Sequence, residues 1–413
     1  MLPPHTLHQA VERTVREEWG RILAALVKSL GDIQLAEDCL QDAIARAMEF
    51  WPETDLPRSP AAWLITTARR RAIDTLRRDA RFAQKVPELS HLADLENDGQ
   101  DAEGSELIPD KRLEMMFTCC HPALEQKTQI ALTLRTLGGL KTEAIAAAFL
   151  DKPEAMAQRL VRAKHKIAAA RIPYEIPDHE MLPDRLAGVL AVIYLIFNAG
   201  YTDASATQRS LSDEAIRLAR IVHHLMPDDA EVAGLLALML LHDARRPARI
   251  DAQGQMVALE DQNRNRWDRG KIAQGDRLLR DTLPRGQVGP YQLQAAISAL
   301  HAQSPSWDQT DWPQIAALYE LLYQVQPSPV VRINQAMAVS YTRSVADAQA
   351  LLGSVANDPQ LLTYQPFHVA YADLLRRSGN IAAAKESLDR AVSLTEHDTE
   401  RSFLQRKRDN LST

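Results

Sequence analysis

The sequence predicts an all-α protein. Apolar residues recur three and four apart along most of the chain, and Pro, Gly and Asp mark the breaks between these segments. Period-two alternation surfaces at Ala248 to Leu259, ARIDAQGQMVAL, which reads as a short hairpin or a loop. At 413 residues the chain exceeds what one compact core organises, so two or three domains are expected. Hydrophobic residues make up 46% and charged residues 25%, the balance of an ordinary globular protein rather than a disordered one.

In chain order, His8 to Leu30 forms a first helix with Val11, Val15, Trp19, Ile22, Leu23, Leu26 and Val27 on one side, and Gly31-Asp32 stops it. A second helix runs from Ile33 to Phe50 on a stripe of Leu40, Ile44 and Ala47, leaving Glu37, Asp38, Gln41 and Asp42 toward solvent. Pro52, Pro57 and Pro60 predict an ordered, non-helical connection over Trp51 to Pro60. From Pro60 to Arg81 follows a helix with two unlike faces. Ile65, Ala68, Ala72, Ile73 and Leu76, with Trp63 beside them, point inward, and Arg70, Asp74, Arg77, Arg78 and Arg81 point outward. A row of guanidinium groups on a rigid rod suits a phosphate-rich partner, although a basic face is also an ordinary solvated surface.

Between Phe82 and Asp110 the composition turns acidic, with Asp94, Glu96, Asp98, Asp101, Glu103 and Glu106 among few apolar residues, as in a flexible linker. Lys111 to Phe117 and Pro122 to Leu137 supply two supporting helices, and Gly138-Gly139 is the break. Thr142 can cap a short helix through Phe149, and Asp151 with Pro153 starts another that reaches Arg171, which is helix-turn-helix grammar. On the longer helix Met156, Leu160, Ala163 and Ile167 form the buried stripe, leaving Gln158, Arg159, Arg162 and Lys166 outward. Gln and Arg near its N-terminal half can reach base edges in a major groove while the later Arg and Lys hold phosphates. The alternative is a plain three-helix packing unit.

Trp63-Leu64, Ala68-Arg69, Ala72-Ile73-Asp74 and Arg77-Arg78, followed by Ala157-Gln158-Arg159-Leu160 and Arg162-Ala163-Lys164, resemble regions 2 and 4 of an extracytoplasmic-function (ECF) sigma factor of bacterial RNA polymerase. The resemblance extends beyond Arg171, because FTCCHPAL, YLIFNAGY, LEDQNRNRWDRG and GPYQLQAAISALHA are similar to the subgroup with a long helical, tetratricopeptide-like C-terminal extension. It implies four segments: a region 2 domain at 1–81, an acidic linker at 82–110, a helix-turn-helix region 4 domain at 111–171 and a helical regulatory domain at 180–413. It further implies that Glu37, Asp38, Gln41 and Asp42 dock on the clamp helices of the polymerase largest subunit, where polar groups poised for a basic partner are apt. Unstacked bases of the −10 element would be captured around Arg58 and the Arg69 to Arg71 run, with stacking and a basic rim offsetting the unstacking, and Arg77 and Arg78 would join Arg58, Arg69 and Arg70 as DNA-binding residues. Gln158, Arg159, Arg162 and Lys166 would enter the −35 major groove, and the linker would thread toward the polymerase channels. Two positions depart from the family: Arg70 stands where many members have Asn, and Ala199 replaces the usual acid of the FNAGY segment.

After the two prolines of Ile172 to Asp178, helices are expected at Asp184 to Ala199, Ser212 to Met226, Asp229 to Ala244, Arg266 to Thr282, Gly289 to Ala302 and Trp312 to Gln324, with four more to the end. The best repeat is Val369 to Leu394, where Ala372, Gly379, Ala383 and Ala391 are spaced as in a tetratricopeptide unit.

Several function classes fall away on composition. A net charge of −6 argues against indiscriminate coating of nucleic acid, so any DNA binding rests on local basic faces. Cys39, Cys119 and Cys120 suit neither a disulfide framework nor zinc spacing, which points to a reducing cytoplasm and no metal or other cofactor. There is no secretory signal, and the longest apolar run, Leu186 to Phe197, is short for a membrane span. An enzyme would have to use His223, His224, His242, Asp243 or Asp261, which no catalytic motif accompanies. The expected partners are therefore core RNA polymerase, promoter DNA and a regulatory protein or ligand at the C-terminal domain. A helix-turn-helix regulator with a helical sensor domain is the alternative, and it leaves the Pro60 helix and the acidic Glu37 to Asp42 face unexplained.

Overall fold

The computed structural model describes residues 18–54, 57–83, 110–149, 151–201, 206–251, 255–356, 358–359, 361–395 and 398–411. The start of the first expected helix and nearly all of the acidic linker lie outside the described residues. Helices carry the fold throughout, and the one β-bridge among the described residues pairs Ile250 with Met256. That bridge sits where the alternating stretch predicts a hairpin or loop, flanked by Asp251 N donating to Gln255 O and Val257 N to Arg249 O, both at 2.9 Å. The chain divides into two compact units, Met1–Leu225 and Met226–Thr413.

The first unit opens with α1, described over residues 18–30, whose Trp19, Ile22, Leu23, Leu26 and Val27 are buried. Gly31 takes the left-handed conformation at φ 72°, and α2 (Ile33–Thr54) follows. This helix continues four residues past the predicted end at Phe50, through Pro52, because Trp51 is 1% exposed and anchors the last turn edge-on to Trp63 at 5.3 Å. The proline-rich connection is correspondingly shorter. Next comes α3 (Pro60–Ala83), packed on α2 through Ala61, Leu64, Ile65, Ala68 and Ala72. The apolar stripe read from sequence is thus the one the helix buries, with Ile73 and Leu76 half-buried at its margin.

Four helices follow: α4 (Arg112–Cys119), α5 (Gln126–Thr136), α6 (Thr142–Ala148) and α7 (Pro153–Ala169). Thr142 is the first helical residue of α6 rather than its cap, and Ile145 N bonds to Lys141 O at 3.1 Å. Pro153 opens α7, where a missing N–H is harmless, and Met156, Leu160, Ala163 and Ile167 are its buried residues. Cys119 and Cys120 belong to this core. Their thiols lie 3.2 Å from the Thr136 hydroxyl and 3.7 Å from that of Thr133, and burial pushes Cys120 up to about 12.

Two further helices, α8 (Leu182–Tyr201) and α9 (Ala206–Leu225), pair with each other. The sequence places them with the domain beginning at residue 180, but they fold into the first unit. Arg185 donates to Phe117 O at the end of α4 and Arg217 to Leu137 O beyond α5, each at 2.7 Å. By length and composition α8 could cross a membrane, being longer than the dozen-residue apolar run inside it. Here Leu186, Val189, Leu190, Ile193, Ile196 and Phe197 are buried, and α8 also meets α4 and α5.

The second unit is a solenoid-like succession of helices: α10 (Ala230–Ala244), α11 (Arg269–Thr282), α12 (Pro290–Gln303), α13 (Trp312–Val325), α14 (Pro329–Thr342), α15 (Val345–Gly353), α16 (Gln365–Arg377), α17 (Ile381–Leu394) and α18 (Asp398–Asp409). Among the described residues five α-helices, rather than the four expected, follow α13. Apolar contact passes from hairpin to hairpin. Leu293, Ile315, Leu322 and Ala338 join α12 to α14, Ile333, Leu352, Phe367 and Leu374 join α14 to α16, and Leu375, Leu388, Ala391 and Leu404 join α16 to α18. At the best repeat, Gly379 turns at φ 84° and the Asn380 side chain caps α17 by accepting from Ala383 N at 3.2 Å.

Candidate nucleic-acid interface

On α3, Arg70, Arg77 and Arg78 are exposed with Asp74 between them, and Arg71 is exposed beside them. The Arg71 guanidinium is held by the Asp42 carboxylate of α2 at 2.8 Å, which ties the two helices across their solvent edge. Arg69 lies lower, half-buried with its Nε enclosed, so it borders the row rather than extending it. Arg58 is exposed on the connection leading into α3, and the Arg81 side chain lies outside the described ones.

Where α2 meets α3, Phe50 remains 47% exposed and stacks on Trp63, ring centres 6.3 Å apart and planes 15° from parallel. An exposed aromatic face on the half-buried Trp63, which itself packs edge-on to the buried Trp51, with Arg58 on the neighbouring connection, has the composition of a base-stacking platform. The sequence reading passed over Phe50. The signal was an aromatic pair, Phe50-Trp51, thirteen and twelve residues before Trp63.

The outward face of α7 carries Gln158, Arg162 and Lys166, all exposed. Arg159 is partly buried, its Nη1 bonded to the Asp151 carboxylate at 2.6 Å just ahead of the helix. That pair holds Asp151 below the usual carboxylate range. The bond is local and stays at the helix N-terminus, so Arg159 remains on the outward side. Val161, 48% exposed, is the apolar member of the same face.

The acidic cluster of α2 does not act as one surface. Asp38, Gln41 and Asp42 are exposed as expected, but Glu37 is 2% exposed and corrects the expectation. Its carboxylate takes the Arg135 Nε of α5 at 2.8 Å on one oxygen and pairs with the Lys164 ammonium of α7 on the other. Glu37 therefore faces the α5–α7 helices rather than a partner. A buried carboxylate with two cations offsets a desolvation penalty that a lone Glu would not survive.

The polar residues His223, His224, His242, Asp243 and Asp261 lie in different settings. Asp243 is buried and paired with Arg246 and with Lys271 at 2.5 Å, while Asp261 and His224 are exposed and His223 is half-buried. No group of three or more His, Cys, Asp or Glu among the described residues could hold a metal ion. His242 sits 3.1 Å from the Ser298 hydroxyl, and burial holds it well below its ordinary value. Burial likewise pushes His301, stacked on Trp307 at 5.9 Å, down to about 4. Both imidazoles are neutral in the folded unit, whereas the unfolded chain binds their protons near pH 6.5. Stability is then fully present above about pH 6.5 and is lost as pH falls from there toward 4, at about 1.4 kcal/mol per pH unit for each proton taken up. Urea unfolding followed at pH 7, 6 and 5 should show this slope, and His301→Gln should reduce it by about one proton.

Residues 15–82, spanning α1 to α3, match the model of sigma-70 region 2. Residues 185–283, spanning α8 to α11, match a family of unknown function, DUF6596. Uncharacterized protein R00370 of Rhizobium meliloti (strain 1021) is 40% identical over 395 residues, covering 94% of this chain and 93% of the relative. No solved structure matches the chain.

Proposed function

We propose that this chain, which belongs to the same family as R00370 of Rhizobium meliloti and carries a sigma-70 region 2 domain over residues 15–82, is an ECF-type promoter-selecting subunit of RNA polymerase. The observation that carries the reading is the exposed arginine row of α3, Arg70, Arg77 and Arg78, mounted on that domain beside the stacked Phe50–Trp63 pair. Region 2 implies a sigma-factor-like role in transcription initiation, with core polymerase and promoter DNA as partners. In the finer reading, α2 docks on polymerase through Asp38, Gln41 and Asp42. The end of α2 and α3 hold the opened −10 strand, with Phe50 stacking on a base and Arg58, Arg70, Arg77 and Arg78 on phosphates. Duplex −35 DNA falls to α6 and α7 in helix-turn-helix fashion, with Gln158 and Arg159 at base edges and Arg162 and Lys166 on the backbone.

Chemistry is left to the polymerase, and the factor works in the cytoplasm without a cofactor. Control resides in the C-terminal helices, a tetratricopeptide-like extension. The support is that α8 and α9, the start of that extension, already grip α4 and the turn after α5 through Arg185 and Arg217.

Run-off transcription with purified core polymerase on candidate promoters tests the reading: full-length chain should start transcripts at a defined position, and core alone should not. Promoter binding by the chain alone, with no transcript under any condition, would favour a repressor instead. A narrower test addresses α7. Replacing Arg162 and Lys166 together by Ala should weaken promoter binding by the holoenzyme and lower the slope of log K against log salt by about 2.

A further inference from the structure

We propose that the second unit holds a binding site for a phosphoryl group, built on Arg264, Trp267 and His301, whose ligand is inorganic phosphate or a small phosphomonoester. The inference goes beyond the promoter-selecting reading and stands on the second unit alone.

Two stretches that the promoter reading leaves without a role meet at this point. LEDQNRNRWDRG supplies Arg264, in the single 3-10 turn Arg264–Arg266, and Trp267 after it, while GPYQLQAAISALHA forms most of α12 and supplies His301. Arg264 is 8% exposed. Its Nη1 donates to the carbonyls of His301 and, at 3.0 Å, of Ser304, which closes the C-terminal end of α12. That task occupies one end of the guanidinium. Nη2 is enclosed as well and has no hydrogen-bond partner among the described residues. The guanidinium carbon lies 4.6 Å from the ring centre of Trp267, which is 3% exposed. Trp267 Nε1 and His301 Nδ1 are likewise enclosed without a partner. A buried donor left in this way costs about 1–3 kcal/mol, which an accepting oxygen would recover. Here such atoms sit on residues that touch one guanidinium.

The charges acting on these groups are of one sign. Arg245 and Arg249 act on His242, Arg245 and Arg264 on His301, and Arg245 and Arg269 on Arg264. Three acids of the region are committed elsewhere: Asp243 to Arg246 and Lys271, Asp268 to the backbone at the start of α11, and Glu260 to the side of Tyr341 and Arg376. A phosphomonoester brings about −1.5 to −2 charge at pH 7 and three acceptor oxygens, and guanidinium is the side chain best matched to it. A carboxylate offers one charge and two oxygens. Arg245 and Arg249 are only half-buried, which gives the ligand its entry, and the enclosed donors turn to it on binding.

Isothermal titration calorimetry on the full chain at constant ionic strength tests the site, with inorganic phosphate and glycerol 3-phosphate as probes and succinate as a dianion without phosphorus. At least one phosphate probe should bind saturably, one per chain, with Kd below about 1 mM, and succinate should give no saturable heat. Tighter inorganic phosphate assigns the free ion, and tighter glycerol 3-phosphate the ester. Arg264→Gln should abolish binding. Where loss of the α12 cap unfolds that variant, two substitutions of half-buried residues carry the test, Arg245→Gln and His301→Phe, the latter keeping a ring against Trp307. Each should weaken binding about tenfold. Arg280→Gln, exposed on α11, should change nothing. No saturable binding of either phosphate probe, equal binding of succinate, or undiminished binding in the folded substituted chains overturns the proposal. Polymerase takes no part in these titrations, so a failure here is distinct from a failure of the run-off test.

Discussion

Reversing the charge of Arg77 and Arg78 together, Arg77→Glu with Arg78→Glu, is expected to lower run-off transcription on the order of 100-fold while leaving the fold and polymerase binding intact. Both side chains are exposed on α3, away from the stripe of Leu64, Ile65, Ala68 and Ala72 that packs on α2, so the substitution removes no buried area. Four units of charge change next to a phosphodiester chain. At about 1 kcal/mol per close pair in water, less what salt screens, the loss is about 3 kcal/mol of strand binding, which corresponds to that factor. Permanganate footprinting of the opened −10 region should fail in parallel, because the defect lies in holding the separated strand. Normal transcription by the doubly substituted protein would remove α3 from the promoter interface.

Gly20→Val should destabilise the N-terminal unit by about 3 kcal/mol, at the upper end of what overpacking costs. The neighbours of the added carbon are the oxygen, Cα and carbonyl carbon of Leu137 at 2.6, 3.2 and 3.3 Å, all backbone, so no side chain can swing aside. Relief requires α1 to lift off the turn after α5, which also draws Trp19 from the Arg135 carbonyl. Gly353→Ala is the control, since nothing lies within 4 Å of a Cβ there. Urea unfolding should show the first substitution lowering the midpoint strongly and the second leaving it nearly unmoved.

The helical faces were legible in the sequence wherever burial follows a single stripe. Met156, Leu160, Ala163 and Ile167 were read as the inner side of α7 from spacing alone and are the residues it buries. Glu37 shows what spacing and charge give when they disagree. It stands four residues after Ile33 and three before Leu40, both buried, so helical geometry places it on the inward stripe, while its charge argued for solvent. The cations that settle the matter are 98 and 127 residues away, and no local pattern announces them.

The packing partners of α8 and α9 were not legible for a related reason. A hydrophobic stripe tells which side of a helix is buried but not against what, and the bonds from Arg185 and Arg217 end on backbone carbonyls that carry no sequence signature. The end of α2 was misplaced because Pro52 reads as a breaker, whereas a proline in the last turn forfeits one hydrogen bond and the Trp51–Trp63 contact outweighs it.

The central claim is that the chain is a polymerase subunit, and the most direct test is a binding titration. Fluorescently labelled full-length protein titrated with purified bacterial core RNA polymerase should show a saturable rise in anisotropy at one chain per core, with Kd below about 1 µM, reversed by excess unlabelled protein. No change in anisotropy with about 10 µM core would contradict the account.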